Sequence, residues 1–131
     1  MAVDIQPLRI TAPAGSDLKF SQQDVFSDEV EDFLAAHGPY GCVLSDAAPS
    51  TSGNRLVDTR RSFNLVMRAI DLTENHLIRH GNLVVKIFQG GDEGELRERL
   101  RGLFDDVKTF KPRATRRESM ETYMIGMGFS K

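Results

Sequence analysis

The sequence predicts an α/β domain, a mostly parallel sheet flanked by helices on both faces and closed by an antiparallel C-terminal hairpin. Three observations carry this. Short apolar runs alternate with segments of helical period. Glycine and proline punctuate the boundaries between them. Acids fall at or just after the ends of three of the runs, where ligands bind in open α/β sheets.

The elements follow in chain order. Ala2-Val3-Asp4-Ile5 is a short apolar run stopped by Pro7. Leu18-Lys19-Phe20-Ser21 alternates apolar and polar residues, and Asp24 follows. Phe26, Val30, Phe33 and Leu34 stand at helical spacing, and Gly38-Pro39 ends that helix. Residues 40–44 form a buried-strand run that opens into a loop over 45–54. A long helix is expected from about Asp58 to His80, with Phe63, Val66, Ile70 and Leu77 as its stripe and Leu65, Ala69 and Leu72 widening it. Gly81 suits the C′ position after it. Residues 83–88 are a strand that is apolar except for Lys86, and Gly90-Gly91 turns the chain. Asp92 and Glu95 are placed as a capping pair for a helix carrying Leu96, Leu100, Leu103 and Phe104. Residues 107–110 and 123–129 complete the sheet as hairpin partners.

A chain of 131 residues is one domain at most. Its 40% hydrophobic and 27% charged residues are ordinary for a soluble globular protein. A net charge of -2 gives no general attraction for phosphate, so any nucleic-acid role needs a local basic patch. The single cysteine excludes an intrachain disulfide, and in the run Gly41-Cys42-Val43-Leu44 it reads as a small buried core residue. No apolar stretch is long enough for a membrane span, and no signal-peptide pattern opens the chain. A soluble cytoplasmic protein in a reducing compartment is expected.

Chemistry concentrates at Asp46, Lys86 and Glu121. Lys86 interrupts an otherwise apolar strand, and a lone buried ammonium is costly. Either its head snorkels to water, or Asp46 and Glu121 supply the counter-charge. The second reading fits better, because Asp46 follows a strand and Glu121 opens the last one. Asp4 and Asp24 also stand at strand ends, where an acid can bind a ligand or merely cap the next turn. His76 and His80 are four apart but lack the intervening Glu of a zinc helix, so no metal site is expected. Gly90-Gly91 is a turn and not a phosphate loop. Lys108, Lys111, Arg113, Arg116 and Arg117 form a run without an acid that leads toward Glu121, and Arg55, Arg60 and Arg61, which follow the Asp46 loop, are candidates to extend it. Beside the acid–lysine–acid set, the run reads as a phosphate-binding surface.

The local motifs resemble one family. V-L-S-D-A-A-P at 43–49 with Ser52-Gly53, V-V-K-I-F-Q-G at 84–90, F-K-P at 110–112 and E-T-Y at 121–123 are similar, in order and spacing, to the FtsJ-type (RrmJ-type) ribosomal RNA 2′-O-methyltransferases. The resemblance runs from about Asp4 to the C-terminus. It implies a Rossmann-like, S-adenosylmethionine (SAM)-dependent methyltransferase fold and methylation of a ribose 2′-hydroxyl in large-subunit (23S) rRNA. By motif position it implies Asp4 at the cofactor ribose, Asp24 near the adenine and Asp46 near the methionine portion. It also implies Lys86 as the catalytic lysine, with Asp46 and Glu121 beside it. A lysine there acts as a proton acceptor if neutral, or as a cation that orients the hydroxyl if charged. The implied partner is ribosomal RNA or the large subunit, and the full-length family protein is expected to be monomeric.

The family's first, central strand with its D-L-G-x-x-P-G-type loop, and an upstream arm carrying another catalytic lysine, have no counterpart here. Residues 1–131 are therefore expected to be the C-terminal two-thirds of one methyltransferase domain, with unpaired strand edges where the first strand belongs. Two other readings stand beside this one: a non-catalytic remnant that binds RNA or a partner, and a 2′-O-methyltransferase for another RNA such as a messenger cap. Isothermal titration of the isolated chain with SAM is expected to show weak binding or none; micromolar affinity would overturn that expectation.

Overall fold

In the computed structural model, residues 1–9, 11–112 and 120–131 are described. The chain forms two compact units, Met1–Pro39 and Tyr40–Lys131.

In the first unit β1 (Ala2–Asp4) pairs in parallel with β2 (Phe20–Gln22). Helix α1 (Glu29–Ala35) follows, with Glu29, Glu31 and Asp32 in its first turn, where carboxylates suit the helix dipole. Val30 is its buried residue. Phe26, expected on this helix, lies before it and is 52% exposed. Its N–H donates to Asp24 Oδ1 at 3.0 Å, and this turn takes the place of a helical start.

In the second unit β3 (Tyr40–Ser45), β4 (Leu77–Phe88), β5 (Phe104–Phe110) and β6 (Glu121–Phe129) form one sheet in the order β3-β4-β6-β5. β3 and β4 are parallel, and β6 enters antiparallel to both β4 and β5. The C-terminal hairpin is present as expected. The sheet as a whole is mixed, because β6 runs antiparallel beside the parallel β3–β4 pair, inserted between β4 and β5. The strands that carry Asp4 and precede Asp46 belong to separate sheets, and β3 is an edge strand.

The long helix starts earlier and stops sooner than its periodicity indicates. α2 is Arg55–His76. Asn54 caps it by accepting the N–H groups of Leu56 and Val57 at 3.1 and 3.3 Å. Leu77 is extended and pairs with Tyr40, so strand pairing claims the residues expected to form the last helical turn. Gly81 lies inside β4. A β-carbon there would sit 2.7 Å from Leu77 Cγ, so glycine serves close packing and not a C′ turn. His80 belongs to the same irregularity, with φ 64°, and does not share a helix with His76.

α3 (Glu93–Arg101) also departs from expectation, since Asp92 makes no side-chain cap. Its carboxylate is held by Arg60 at 3.0 Å. Phe63, Val66, Ala69 and Ile70 of α2 and Leu96 and Leu100 of α3 pack in one core with Leu83, Val85, Ile87 and Met124. Both helices of this unit therefore cover the same sheet face, not opposite faces. Arg99 of α3 joins them by pairing with Asp71 and Glu74 of α2. Alternation places Cys42 and Leu44 on the other face. Cys42 is exposed, contrary to the core position expected for it, and Leu44 is 75% exposed.

Gly126 of β6 faces the core opposite Leu83, and a β-carbon there would lie 2.7 Å from the Phe104 ring. Gly126→Ala is expected to lower stability by about 1–3 kcal/mol through overpacking. Urea unfolding with an unchanged midpoint would contradict this packing.

Candidate active site

Strand pairing brings together three side chains that are far apart in sequence. β3 ends at Ser45 and Asp46 is the next residue. β4 carries Lys86 two residues before its end. Because β6 runs antiparallel, its first residue, Glu121, pairs with Phe88 at the carboxyl end of β4, and Tyr123 pairs with Lys86.

Lys86 Nζ lies 3.1 Å from Asp46 Oδ1 and 3.6 Å from Glu121 Oε1. The lysine side chain is only 10% exposed, against 75% for Asp46 and 42% for Glu121. Its ammonium is thus drawn from an apolar strand toward carboxylates on the open side. The Tyr123 hydroxyl donates to the same Asp46 oxygen at 3.0 Å, bridging across β4. Burial is the largest single influence on Lys86 and disfavours its charge. The hydrogen bond and charge of Asp46, with Glu121 and Tyr123, outweigh it and raise the lysine pKa above its ordinary value. The bond to Asp46, followed by burial, also raises the Tyr123 pKa.

The surrounding backbone is tied down. Ser52 donates through both N and Oγ to Asp58 Oδ1, each at 2.8 Å, fixing the end of the loop that starts at Asp46. Asp58 is 2% exposed, and these bonds hold its carboxyl below the usual carboxylate range. Ser62 of α2, also buried, accepts the Phe88 N–H at 3.0 Å and pins the end of β4.

Asp46, Lys86 and Glu121, predicted as a set, therefore come together. Asp4 and Asp24 lie in the first unit, at the same end of its two strands. Each accepts at Oδ1 from a backbone N–H two residues on, Gln6 at 2.8 Å and Phe26 at 3.0 Å. The turn-capping alternative is thus realised, with the second carboxylate oxygen of each outside these bonds. Of the basic run, Lys108 pairs with Asp106 at 2.8 Å and Lys111 donates to Gln89 at 3.1 Å. Arg113, Arg116 and Arg117 lie outside the described residues. Tyr123 and Asp58 were not singled out from sequence. Tyr123 had a signal, since it stands two residues after Glu121 on a strand and so shares its face. Asp58 had none, because a helix-start acid reads as a solvated one. Among the described residues, no group of three or more His, Cys, Asp or Glu could hold a metal ion, and no helix is long and apolar enough to cross a membrane.

Comparison with known proteins adds the following. The family model described as FtsJ-like methyltransferase matches residues 1–129. A protein of Borreliella afzelii named ribosomal RNA large subunit methyltransferase E is 46% identical over 131 residues, covering all of this chain and 68% of that protein. A protein of the same name from Borrelia garinii subsp. bavariensis is 48% identical over 112 residues, covering 86% of this chain and 58% of its own length. The chain thus spans roughly three-fifths to two-thirds of these relatives. Among solved structures, a ribosomal RNA methyltransferase from Plasmodium falciparum superimposes with a TM-score of 0.79 at 23% identity, over 97% of this chain and 70% of that one, which shows a shared fold.

The raised pKa of Lys86 has a definite sign. Its ion pairs stabilise the fold fully below the ordinary lysine value of about 10.4, and the stabilisation fades as pH rises through the higher folded value. An NMR titration of the Lys86 side chain is expected to give a midpoint above about 10.4, lowered by Asp46→Asn. A midpoint near neutrality would refute this balance.

Proposed function

The chain belongs to the FtsJ-like methyltransferase family, and from that premise we propose that it serves transfer of a methyl group from SAM to a ribose 2′-hydroxyl of large-subunit (23S) ribosomal RNA. The observation that carries the reading is the Asp46–Lys86–Glu121 assembly, with Lys86 within 3.1 Å of one carboxylate and 3.6 Å of the other. The relatives named as large-subunit rRNA methyltransferases support the choice of RNA.

The residues proposed for the cofactor by motif position are Asp4, Asp24 and Asp46. Asp4 and Asp24 are exposed at strand ends, each with one carboxylate oxygen outside its turn bond, which suits hydroxyl and amino groups of an adenosine portion. Asp46 would lie toward the methionine portion. When bound, SAM supplies a sulfonium-activated methyl group. The chain's own work is then to place and polarise an alcohol. Lys86 is held charged, so it acts as a donor that orients the 2′-oxygen and stabilises negative charge developing on it, not as a neutral base. Glu121 and Asp46 fix the ammonium, and Tyr123 fixes Asp46. Alignment of oxygen with methyl supplies the rest, since well-oriented intramolecular reactions have large effective molarities. Lys108, Lys111, Arg113, Arg116 and Arg117 would form the phosphate-contacting surface. The setting is cytoplasmic, on ribosomal RNA or the large subunit, and the full-length enzyme acts as a monomer.

The test is methyl transfer from labelled SAM to undermethylated large subunits by the full reading frame that encodes this chain. Lys86→Ala is expected to lower kcat by at least about 10²-fold, the scale of removing one preorganised donor, with SAM affinity little changed. Full activity in that variant would remove Lys86 from the mechanism, and label found on a base would remove the ribose.

A further inference from the structure

Beyond the residues already placed, a cation without a charge or hydrogen-bond partner among the described residues stands beside the turn after β4. Arg55 opens α2 and is exposed. Its guanidinium lies beside Gly90: a β-carbon there would be 2.9 Å from Nη2, 3.3 Å from Nε and 3.4 Å from Cζ. Gly90 has φ 96°, so glycine both makes the turn and leaves room for the guanidinium. Gly91 gives the same close approach to Thr59, whose Cβ would be 3.3 Å from a β-carbon at that position. The first turn of α2 is thus seated on the Gly90-Gly91 turn.

Several other exposed cations are ion-paired. Arg60 pairs with Asp92, Arg101 with Glu98, Lys131 with Glu74, and Lys108 with Asp106. Among the described residues, the Arg55 guanidinium has no hydrogen-bond or ion-pair partner. The acid on its own turn, Glu93, accepts the Gly90 N–H at 2.7 Å. Lys111 reaches the other side of the turn through Gln89 Oε1 at 3.1 Å. Two cations therefore flank residues 89 and 90, immediately past the strand that carries Lys86. Four residues of extended chain span at most about 14 Å, so Arg55 stands within a nucleotide or two of a ribose placed at Lys86.

We propose that Arg55 binds a backbone phosphate of the RNA strand whose ribose enters the Lys86 site, with Gly90 as the platform that aims it. The proposal rests on the RNA reading above. A guanidinium presents a rigid fork matched to a phosphate. On a chain of net charge -2, attraction for an RNA strand has to come from such local sites. A phosphate contact carries no base information, so the residue sets register and affinity and not sequence preference.

Fluorescence anisotropy with a fluorescein-labelled single-stranded RNA, over a salt series, tests this on the full reading frame. Arg55→Ala is expected to weaken binding several-fold and to reduce the slope of log affinity against log salt by about 0.7, one phosphate contact on a single strand. Arg55→Lys should restore most of the slope. Arg101→Ala removes an ion-paired cation on another helix and should leave it unchanged. In methyl transfer the loss should appear in KM for RNA, with kcat and SAM affinity kept. An unchanged slope in Arg55→Ala, or an equal drop in Arg101→Ala, overturns the assignment while leaving RNA binding intact. If the parent protein binds no RNA at all, the substrate reading itself falls, and the Arg55 assignment with it.

Discussion

The antiparallel pairing of β6 with β4 is the constraint on which the site depends. Its register sets Glu121 opposite Phe88 and Tyr123 opposite Lys86. Had the last strand added outside β5, Glu121 would stand one strand spacing further from Lys86, roughly 5 Å, and no ion pair would form. The same register carries packing. It places Met124 beside Val85 in the core and leaves Gly126 as the only kind of residue that admits the Phe104 ring. One set of backbone hydrogen bonds thus holds the core on one sheet face and the charged triad on the other.

A charge in an apolar strand is the second consequence. Lys86 is nearly buried, and desolvation alone would disfavour its charge. Its stem stays within the sheet, while its head reaches acids on the more open side, so the ammonium survives burial. Tyr123 donates to the oxygen that also faces Lys86. Asp46 is thereby restrained by two donors on one atom, although it lies on a loop. Asp58 and Ser62 restrain the neighbouring backbone from α2. The site is built on strand ends and a helix start, which move less than a free loop.

The described departures from sequence-based expectation share a cause. Helical period ran past His76 because Leu77 fits both a helical stripe and a strand paired with Tyr40. Asp92 has the residue type and position of a cap, but an arginine from α2 reaches it first. Cys42 sits in an apolar run, yet alternation on a strand covered on one face by this unit's helices sends it outward. In each case packing or pairing with residues distant in sequence decided between two local solutions.

By itself the sequence determined the alternation of strands and helices and the family, because period and motif spacing are written locally. It also pointed to Asp46, Lys86 and Glu121 as one set, since a lysine in an apolar strand requires counter-charge. Only the tertiary structure decided how they meet. The insertion of β6, the Tyr123 bond to Asp46, the charged state of Lys86 and the seat of Arg55 on Gly90 all follow from pairing between strands and helices separated by tens of residues. Such pairings are set by shared packing and hydrogen bonding across the sheet, which a local stretch of chain does not encode.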